Sequence, residues 1–363
     1  MHNDRLMVKR ENDFDYPIVF RTDFSGLKEE TEALHKSYSS VCIVTDTNVA
    51  PLYLEETKAE FQKKFDHVSS FTIPAGEQNK HLDTVTDILR HLIVEGMDRS
   101  GLLVALGGGV VGDMTGFASA IYLRGIDFMQ IPTTLLAQVD SSVGGKTGVD
   151  LDSYKNMVGA FHQPVLVYMN MQTLHTLPYE EFVCGRGEVL KTGLICDGDF
   201  YRRTVETADL LKAFDTAALA ATVRRCCEIK AGIVERDPKE KGERALLNLG
   251  HTIGHAIEKL RNFTINHGMC VGLGLAASAA ISVKRGTLAQ EEYDEIINGL
   301  TSCGLPVSTT GLSPEQVLAA TKKDKKMKAG QIRFILMRGI GGSYIDRTVT
   351  DEELLYGIRR VLS

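Results

Sequence analysis

Apolar and polar positions fall into alternating blocks over the first half of the chain. Residues 41–51, VCIVTDTNVAP, begin as a buried-type strand and end in a polar turn. Residues 81–100, HLDTVTDILRHLIVEGMDRS, carry their apolar residues at helical spacing. GLLVALGGGVVGD (101–113) reads as a strand running into a glycine loop. DMTGFASAIYLRG (113–125) reads as a helix of small residues, and FMQIPTTLLA (128–137) returns to strand. Strands that are apolar throughout and alternate with helices predict a parallel sheet covered on both faces.

The pattern changes near residue 168. Beyond it, LPYEEFVCGRGEVLKTGLI, DLLKAFDTAALAATVRRCCEIKAGIVE, LNLGHTIGHAIEKL and MCVGLGLAASAAISVKRG all read as helices. The sequence therefore predicts two domains, an α/β Rossmann-like domain over residues 1–168 and a mainly helical domain over 169–363. No internal repeat or low-complexity segment interrupts this plan.

Composition narrows the possible partners. The chain is 43% hydrophobic and 24% charged, with a formal net charge of −6. That charge argues against a nucleic acid or an anionic membrane surface as partner. The start, MHNDRLMVKRENDFDYP, mixes acids and bases and does not read as a signal peptide. No uninterrupted apolar run approaches the roughly 20 residues of a membrane span. The seven cysteines are scattered, with no CxxC, which suits reduced thiols in a cytoplasmic protein.

Gly107, Gly109 and Gly112 fit G-x-G-x-x-G between a strand and a helix. Such a loop lets backbone approach a dinucleotide phosphate at a helix N-terminus. The alternative is a tight turn without ligand, N-capped where Asp113 opens the helix. Asp46 and Asn48 end an earlier strand, where they could reach an adenosine or simply form a turn.

LNLGHTIGHAIEKL carries a second signal. Leu249, Ile253, Ile257 and Leu260 form one helical stripe, and Asn248, His251 and His255 form another. Two histidines at i, i+4 can share one metal, and His267 together with Glu188 of GRGEVLKTG could complete a site. Thr252 stands where a metalloprotease would carry its general base, which excludes that class. Gly250 and Gly254 imply close approach by another group. The alternative reading is a pair of hydrogen-bonded histidines. Lys191 shares a helix face with Glu188. Arg124, Lys146, Lys155, Lys230, Arg244 and Lys326 lie in otherwise apolar, glycine-rich or basic stretches. Each is an ordinary surface charge if taken singly and a phosphate binder if several converge.

At DSSVGGKTGVD, KNMVGAF, GEVLKTGLI, NLGHTIGHAIE and DKKMKAGQIRFILMRGIG, the chain resembles the 3-dehydroquinate synthase family, in order and spacing, from about residue 40 to about residue 345. The resemblance implies an N-terminal NAD-binding domain, a C-terminal helical metal-binding domain, a cleft between them and usually a homodimer. It implies a lyase that converts the sugar phosphate 3-deoxy-D-arabino-heptulosonate 7-phosphate (DAHP) to 3-dehydroquinate and phosphate in the shikimate pathway. NAD would oxidise an alcohol transiently, phosphate would leave by β-elimination, the hydride would return, and the ring would reopen and close as an aldol.

By the same resemblance, Glu188, His251 and His267 would hold zinc or cobalt. His255 moves to the substrate side, as a proton relay. Lys146, Asn156, Lys191, Lys230, Arg244 and Asn248 would line the substrate pocket. Arg124 and Lys326, favoured over Lys325, would anchor phosphate. NAD would meet Asp46, Asn48, Glu77, Lys80, Gly108, Gly109, Val110, Asp113, Thr133, Thr134, Asp140, Lys146, Lys155 and Thr176.

Three positions depart from the family's pattern. Met269-Cys270 replaces Glu-Ala, Asp150 replaces a frequent Asn, and Gly187 replaces a frequent Ala. The rivals are a related cyclase making aminodehydroquinate or a cyclitol, a metal- and NAD-dependent glycerol or alcohol dehydrogenase, and an inactive paralogue. Asn248 argues against 2-deoxy-scyllo-inosose synthase, whose resemblance carries an acidic residue there. Glu188-x-x-Lys191 argues against the dehydrogenase.

Overall fold

The computed structural model describes residues 4–9, 15–152, 154–262, 264–322, 327–328 and 331–362. They form two compact units, 1–177 and 178–363. The division falls after Leu177 and not after residue 168, because a last strand and a 3₁₀ turn still belong to the sheet unit.

In the first unit the elements are β1 (Arg5–Val8), β2 (Tyr16–Arg21), α1 (Leu27–Glu32), β3 (Val41–Asp46), α2 (Ala50–Gln62), β4 (Val68–Ile73), α3 (Leu82–Val94), β5 (Leu102–Gly107), α4 (Gly109–Ile121), β6 (Asp127–Pro132), β7 (Lys146–Leu151), β8 (Tyr154–Phe161) and β9 (Leu166–Asn170). Seven strands make one sheet in the order β1-β2-β9-β6-β5-β3-β4, parallel except at the β1–β2 edge. Alternate side chains of each strand feed two cores. Cys42, Val44, Leu103, Ala105 and Phe128 pack with α3 and α4 on one face. Val41, Ile43, Leu102, Val104, Met129 and Ile131 pack on the other face. Burial on both faces is why these strands are apolar throughout. Strands β7 and β8 form a separate antiparallel hairpin that Lys146 opens.

The second unit contains α5 (Tyr179–Cys196), α6 (Gly198–Glu206), α7 (Ala208–Lys212), α8 (Thr216–Arg236), α9 (His251–Leu260), α10 (His267–Lys284), α11 (Gln290–Ser302), α12 (Pro314–Thr321), the short strands β10 (Met327–Lys328), β11 (Gln331–Ile332), β12 (Phe334–Met337) and β13 (Ser343–Asp346), and α13 (Asp351–Val361). The segment expected as one helix over 209–235 is broken at Phe214, whose φ is 56°. Asp215 then caps α8 by accepting from the Ala218 N–H at 2.8 Å. Helix α10 is the one helix, among the described residues, long and apolar enough to cross a membrane, but most of it is buried inside this unit. Among the described residues no disulfide joins the cysteines.

Candidate active site

The parallel strands deliver one set of residues. Asp46 closes β3, Glu77 and Lys80 follow β4, and Gly108, Gly109 and Val110 follow β5. Thr133 and Thr134 follow β6, and Thr176 follows β9. All therefore lie at the C-terminal edge of the sheet. From β3 the chain moves to β4 on one side and then to β5 on the other, so the strand order switches between β3 and β5. Such switch points are where open α/β sheets bind ligands.

Helix α4 starts at Gly109, with Gly108 as N-cap and no side-chain cap. The amide groups of its first turn are thus suited to an anion. Asp113 does not open this helix, as the sequence suggested. It lies one turn in and accepts from the Lys80 Nζ at 2.6 Å. Asp46 takes the turn role weighed for it, since its Oδ1 accepts from the N–H groups of Asn48 and Val49 at 2.8 and 2.9 Å.

Lys80 joins the sheet edge to the β7–β8 hairpin. Its Nζ also donates to Asn156 Oδ1 at 2.7 Å. Burial opposes the Lys80 charge, but the Asp113 and Glu77 carboxylates outweigh it and raise its pKa above the ordinary lysine value. Asn156 has a left-handed backbone, φ 51°, and its N–H donates to Asp150 Oδ1 at 2.7 Å. An amide oxygen could accept that bond equally well, which accounts for Asp150 in place of Asn. Lys155 pairs with Glu77 at 3.1 Å. Arg124 is also left-handed, φ 70°, in the turn that ends α4. Such backbone costs of order 1–3 kcal/mol at a non-glycine residue and gathers at functional sites.

In the second unit three helices meet through glycines. A Cβ on Gly187 of α5 would lie 2.5 Å from the Gly268 carbonyl oxygen of α10. A Cβ on Gly268 would collide with the Cys184 carbonyl of α5. This contact explains Gly187 where the family often has Ala. Gly254 of α9 meets the Cys270 carbonyl of α10 similarly, 2.7 Å from an added Cβ. The group that the helix glycines admit is therefore α10. Cys270 is fully buried there, a small residue in the place of Ala.

This packing converges the candidate ligands. His251, His255 and His267 each offer a ring nitrogen, all within 4.8 Å of one another. Glu188 Oε1 lies 3.4 Å from Nε2 of both His251 and His267. The other ring nitrogens face acceptors, with Leu249 O at 3.1 Å from His251 Nδ1 and Glu258 Oε2 at 3.4 Å from His267 Nδ1. Lys191, one turn along α5, ion-pairs with Glu188 Oε2. Glu188 and Lys191 are each 1% exposed.

Burial alone would raise the Glu188 pKa, but the Lys191 ammonium and His267 hold it at about 2. Burial would lower His267, but Glu188 and Glu258 raise it to about 9. Two imidazole nitrogens and one carboxylate oxygen facing a common point are a donor set that fits zinc or cobalt. The third imidazole, His255, stands beside it, its ring centroid 4.9 Å from that of His251.

Comparison with known proteins decides the family. The models described as 3-dehydroquinate synthase N-terminal and 3-dehydroquinate synthase C-terminal match residues 70–184 and 185–327. The 3-dehydroquinate synthase of Acetivibrio thermocellus is 45% identical over 97% of this chain and 96% of its own length. That of Nitrosomonas europaea is 46% identical over 88% and 87%. The chain belongs to the 3-dehydroquinate synthase family.

Among solved structures, the 2-epi-5-epi-valiolone synthase ValA of Streptomyces hygroscopicus, with NAD⁺ and Zn²⁺ bound, superposes with a TM-score of 0.89 at 26% identity over 98% of each chain. A 2-deoxy-scyllo-inosose synthase complexed with carbaglucose-6-phosphate, NAD⁺ and Co²⁺ shares the fold, with a TM-score of 0.88 at 24% identity over 99% of this chain and 100% of its own.

Within this dehydroquinate synthase frame, the remaining expected residues separate. Asn248 is not on α9 with the histidines. It ends a 3₁₀ turn, and Gly250, φ 78°, intervenes before His251. The Asn248 amide donates to Glu240 Oε1 at 2.8 Å. Arg244 is buried and donates to the Pro238 carbonyl at 2.7 Å. Lys230 is buried on α8. Lys146 is exposed at the start of β7, and Asp140 lies in a π-helical turn over Ala137–Ser141. Lys326 and Lys325 lie outside the described residues. Glu258 and Glu240 are absent from the sequence-based set. Glu258 had a legible signal, since His251, His255 and Glu258 stand at i, i+4 and i+7 on one helix face.

Proposed function

We propose that the protein is a working 3-dehydroquinate synthase, a phosphorus–oxygen lyase that converts DAHP to 3-dehydroquinate and phosphate with NAD and a divalent metal. The observation that carries this reading is the buried Glu188–Lys191 pair set against His251, His255 and His267. A plain dehydrogenase needs no buried lysine beside its metal carboxylate. When bound, the metal supplies Lewis acidity and NAD supplies a reversible hydride acceptor.

The chain's residues do the rest. Glu188, His251 and His267 would hold the metal. Asp46, Lys80, the Gly108–Val110 turn and Asp113 would hold NAD. Lys191, buried beside Glu188, would set a fixed positive charge against a developing alkoxide. His255, beside His251 and His267, would take and return a hydroxyl proton. Arg124, Lys146, Asn156, Lys230, Arg244 and Asn248 would orient the sugar phosphate, so that the leaving phosphate is held as it departs. Homodimer assembly and a cytoplasmic location belong to the same reading, supported by the resemblance and the absence of disulfides among the described residues.

The cyclitol alternative is disfavoured at Asn248. An acidic residue there would set a carboxylate against Glu240, whereas the amide donates to it. The deciding test supplies metal-loaded protein with DAHP and a trace of NAD⁺, and follows phosphate and 3-dehydroquinate. Equal release of both, far beyond the NAD⁺ present, is expected. Net NADH accumulation with a polyol and no product from DAHP would instead select the dehydrogenase.

A further inference from the structure

Glu258 is the buried carboxylate of α9, with 2% of the residue exposed. A charge so placed is costly unless it is paired and hydrogen-bonded. Its Oε2 lies 3.4 Å from His267 Nδ1. A carboxylate only accepts hydrogen bonds, so Nδ1 carries a proton in this contact, and Nε2 is the nitrogen left for a metal shared with Glu188 and His251.

The opposite side of the His267 ring also meets a carboxylate. Its Nε2 faces Glu188 Oε1 at 3.4 Å, and that same oxygen is 3.4 Å from His251 Nε2. His251 is fixed in the same sense, with Nδ1 directed at the Leu249 carbonyl 3.1 Å away. Both imidazoles therefore have one nitrogen occupied by an acceptor and turn the other toward a common point. One acceptor is main chain and cannot be replaced by substitution. The other is Glu258.

We infer that Glu258 is a positioning residue that holds His267 as its Nδ1–H tautomer and aims Nε2 at the point shared with Glu188 and His251. The inference rests on the reading that these three residues bind the metal. It extends that reading to a residue on the same helix face as His251 and His255. Carboxylates that hold a ligating histidine in this way contribute about 10–100-fold to metal affinity.

The test titrates Zn²⁺ into the full-length, metal-stripped protein in competition with a chromogenic chelator. Glu258→Ala is expected to weaken Zn²⁺ binding by about 10–100-fold. Glu258→Gln, which keeps an acceptor oxygen, should lose less, and NAD affinity should stay as in the parent. Unchanged Zn²⁺ affinity in a folded Glu258→Ala protein would overturn the positioning role. Because this substitution could prevent folding, ¹⁵N NMR of the unaltered zinc-loaded protein provides a second reading. His267 should show a protonated Nδ1, and a protonated Nε2 would overturn the inference. Glu188→Ala and His267→Ala separate the two levels. If they abolish Zn²⁺ binding while Glu258→Ala does not, only the role of Glu258 falls. If they bind Zn²⁺ as the parent does, the metal reading falls and this inference falls with it.

Discussion

The Lys80 ammonium donates to the Asp113 carboxylate at 2.6 Å, with only 5% of Lys80 exposed. Breaking such a pair from one side leaves a buried charge. Lys80→Met should therefore destabilise the protein by about 3–5 kcal/mol. Adding Asp113→Leu should restore much of that loss, since both charges are then gone. Urea unfolding of the two single variants and the double variant measures the coupling. Strictly additive losses would show that the pair is not the source.

The contact of α5 with α10 predicts a position-specific glycine effect. Gly268→Ala would push a methyl into the Cys184 carbonyl, and overpacking of this kind costs about 1–3 kcal/mol or more. It should also weaken Zn²⁺ binding, because Glu188 and His267 lie beside the point of contact. Gly286 provides the control. Its φ is +70°, but an added Cβ there meets nothing within 4 Å. Gly286→Ala should cost only the left-handed backbone penalty, about 1–2 kcal/mol, and leave metal affinity intact. Thermal melts and chelator competition on both variants check this.

Lys191 is the fixed charge beside Glu188. Lys191→Met should lower the rate of phosphate release by about 10²–10³-fold, the usual loss for one preorganised donor in a dry site. NAD affinity should be unchanged, since the proposed function assigns Lys191 to the substrate and not to the cofactor. Steady-state kinetics together with NAD titration separate the two effects. A variant that loses NAD binding instead would show that Lys191 serves the cofactor.

Acid stability should be set partly by Glu353. Arg285 holds it through two bonds of 2.7 Å, from Nε and one terminal nitrogen, and the Thr350 N–H adds a third at 2.8 Å. The Arg285 bonds, against the opposing effect of burial, lower the Glu353 pKa from 4.5 to about 2. A carboxylate depressed in the folded state stabilises above its unfolded pKa, and the contribution disappears as pH falls through the folded value. Unfolding free energy should therefore drop between pH 4.5 and about 2, with a shallower slope in Glu353→Gln. An identical slope in the variant would assign the acid loss to other groups.

Much of this architecture was legible in the residues themselves. Apolar strands buried on both faces gave the sheet, and the glycine turn pointed to the strand-order switch. The polar stripe was harder to read. Asn248 has helical spacing from His251, but Gly250 turns the chain between them, and periodicity does not register a left-handed residue. Helical spacing also favoured His255 as a partner of His251. Glu188 reaches the same point from α5, through a helix contact that no local pattern encodes. The long helix expected over 209–235 failed for a related reason. Phe214 adopts a left-handed backbone, and the cap at Asp215 was hidden inside an apparently continuous pattern.

The glycine seam has a further consequence. Side chains in most protein sites can relax around a lost or altered neighbour, but here the helices carrying Glu188, His251 and His267 touch through main-chain atoms. The span between the ligands is thus built like a fixed gauge. Drift in the exposed residues of α5, α9 and α10 leaves the gauge unchanged. Under the proposed function, residues that face the substrate, such as Asn248, can vary without altering this span.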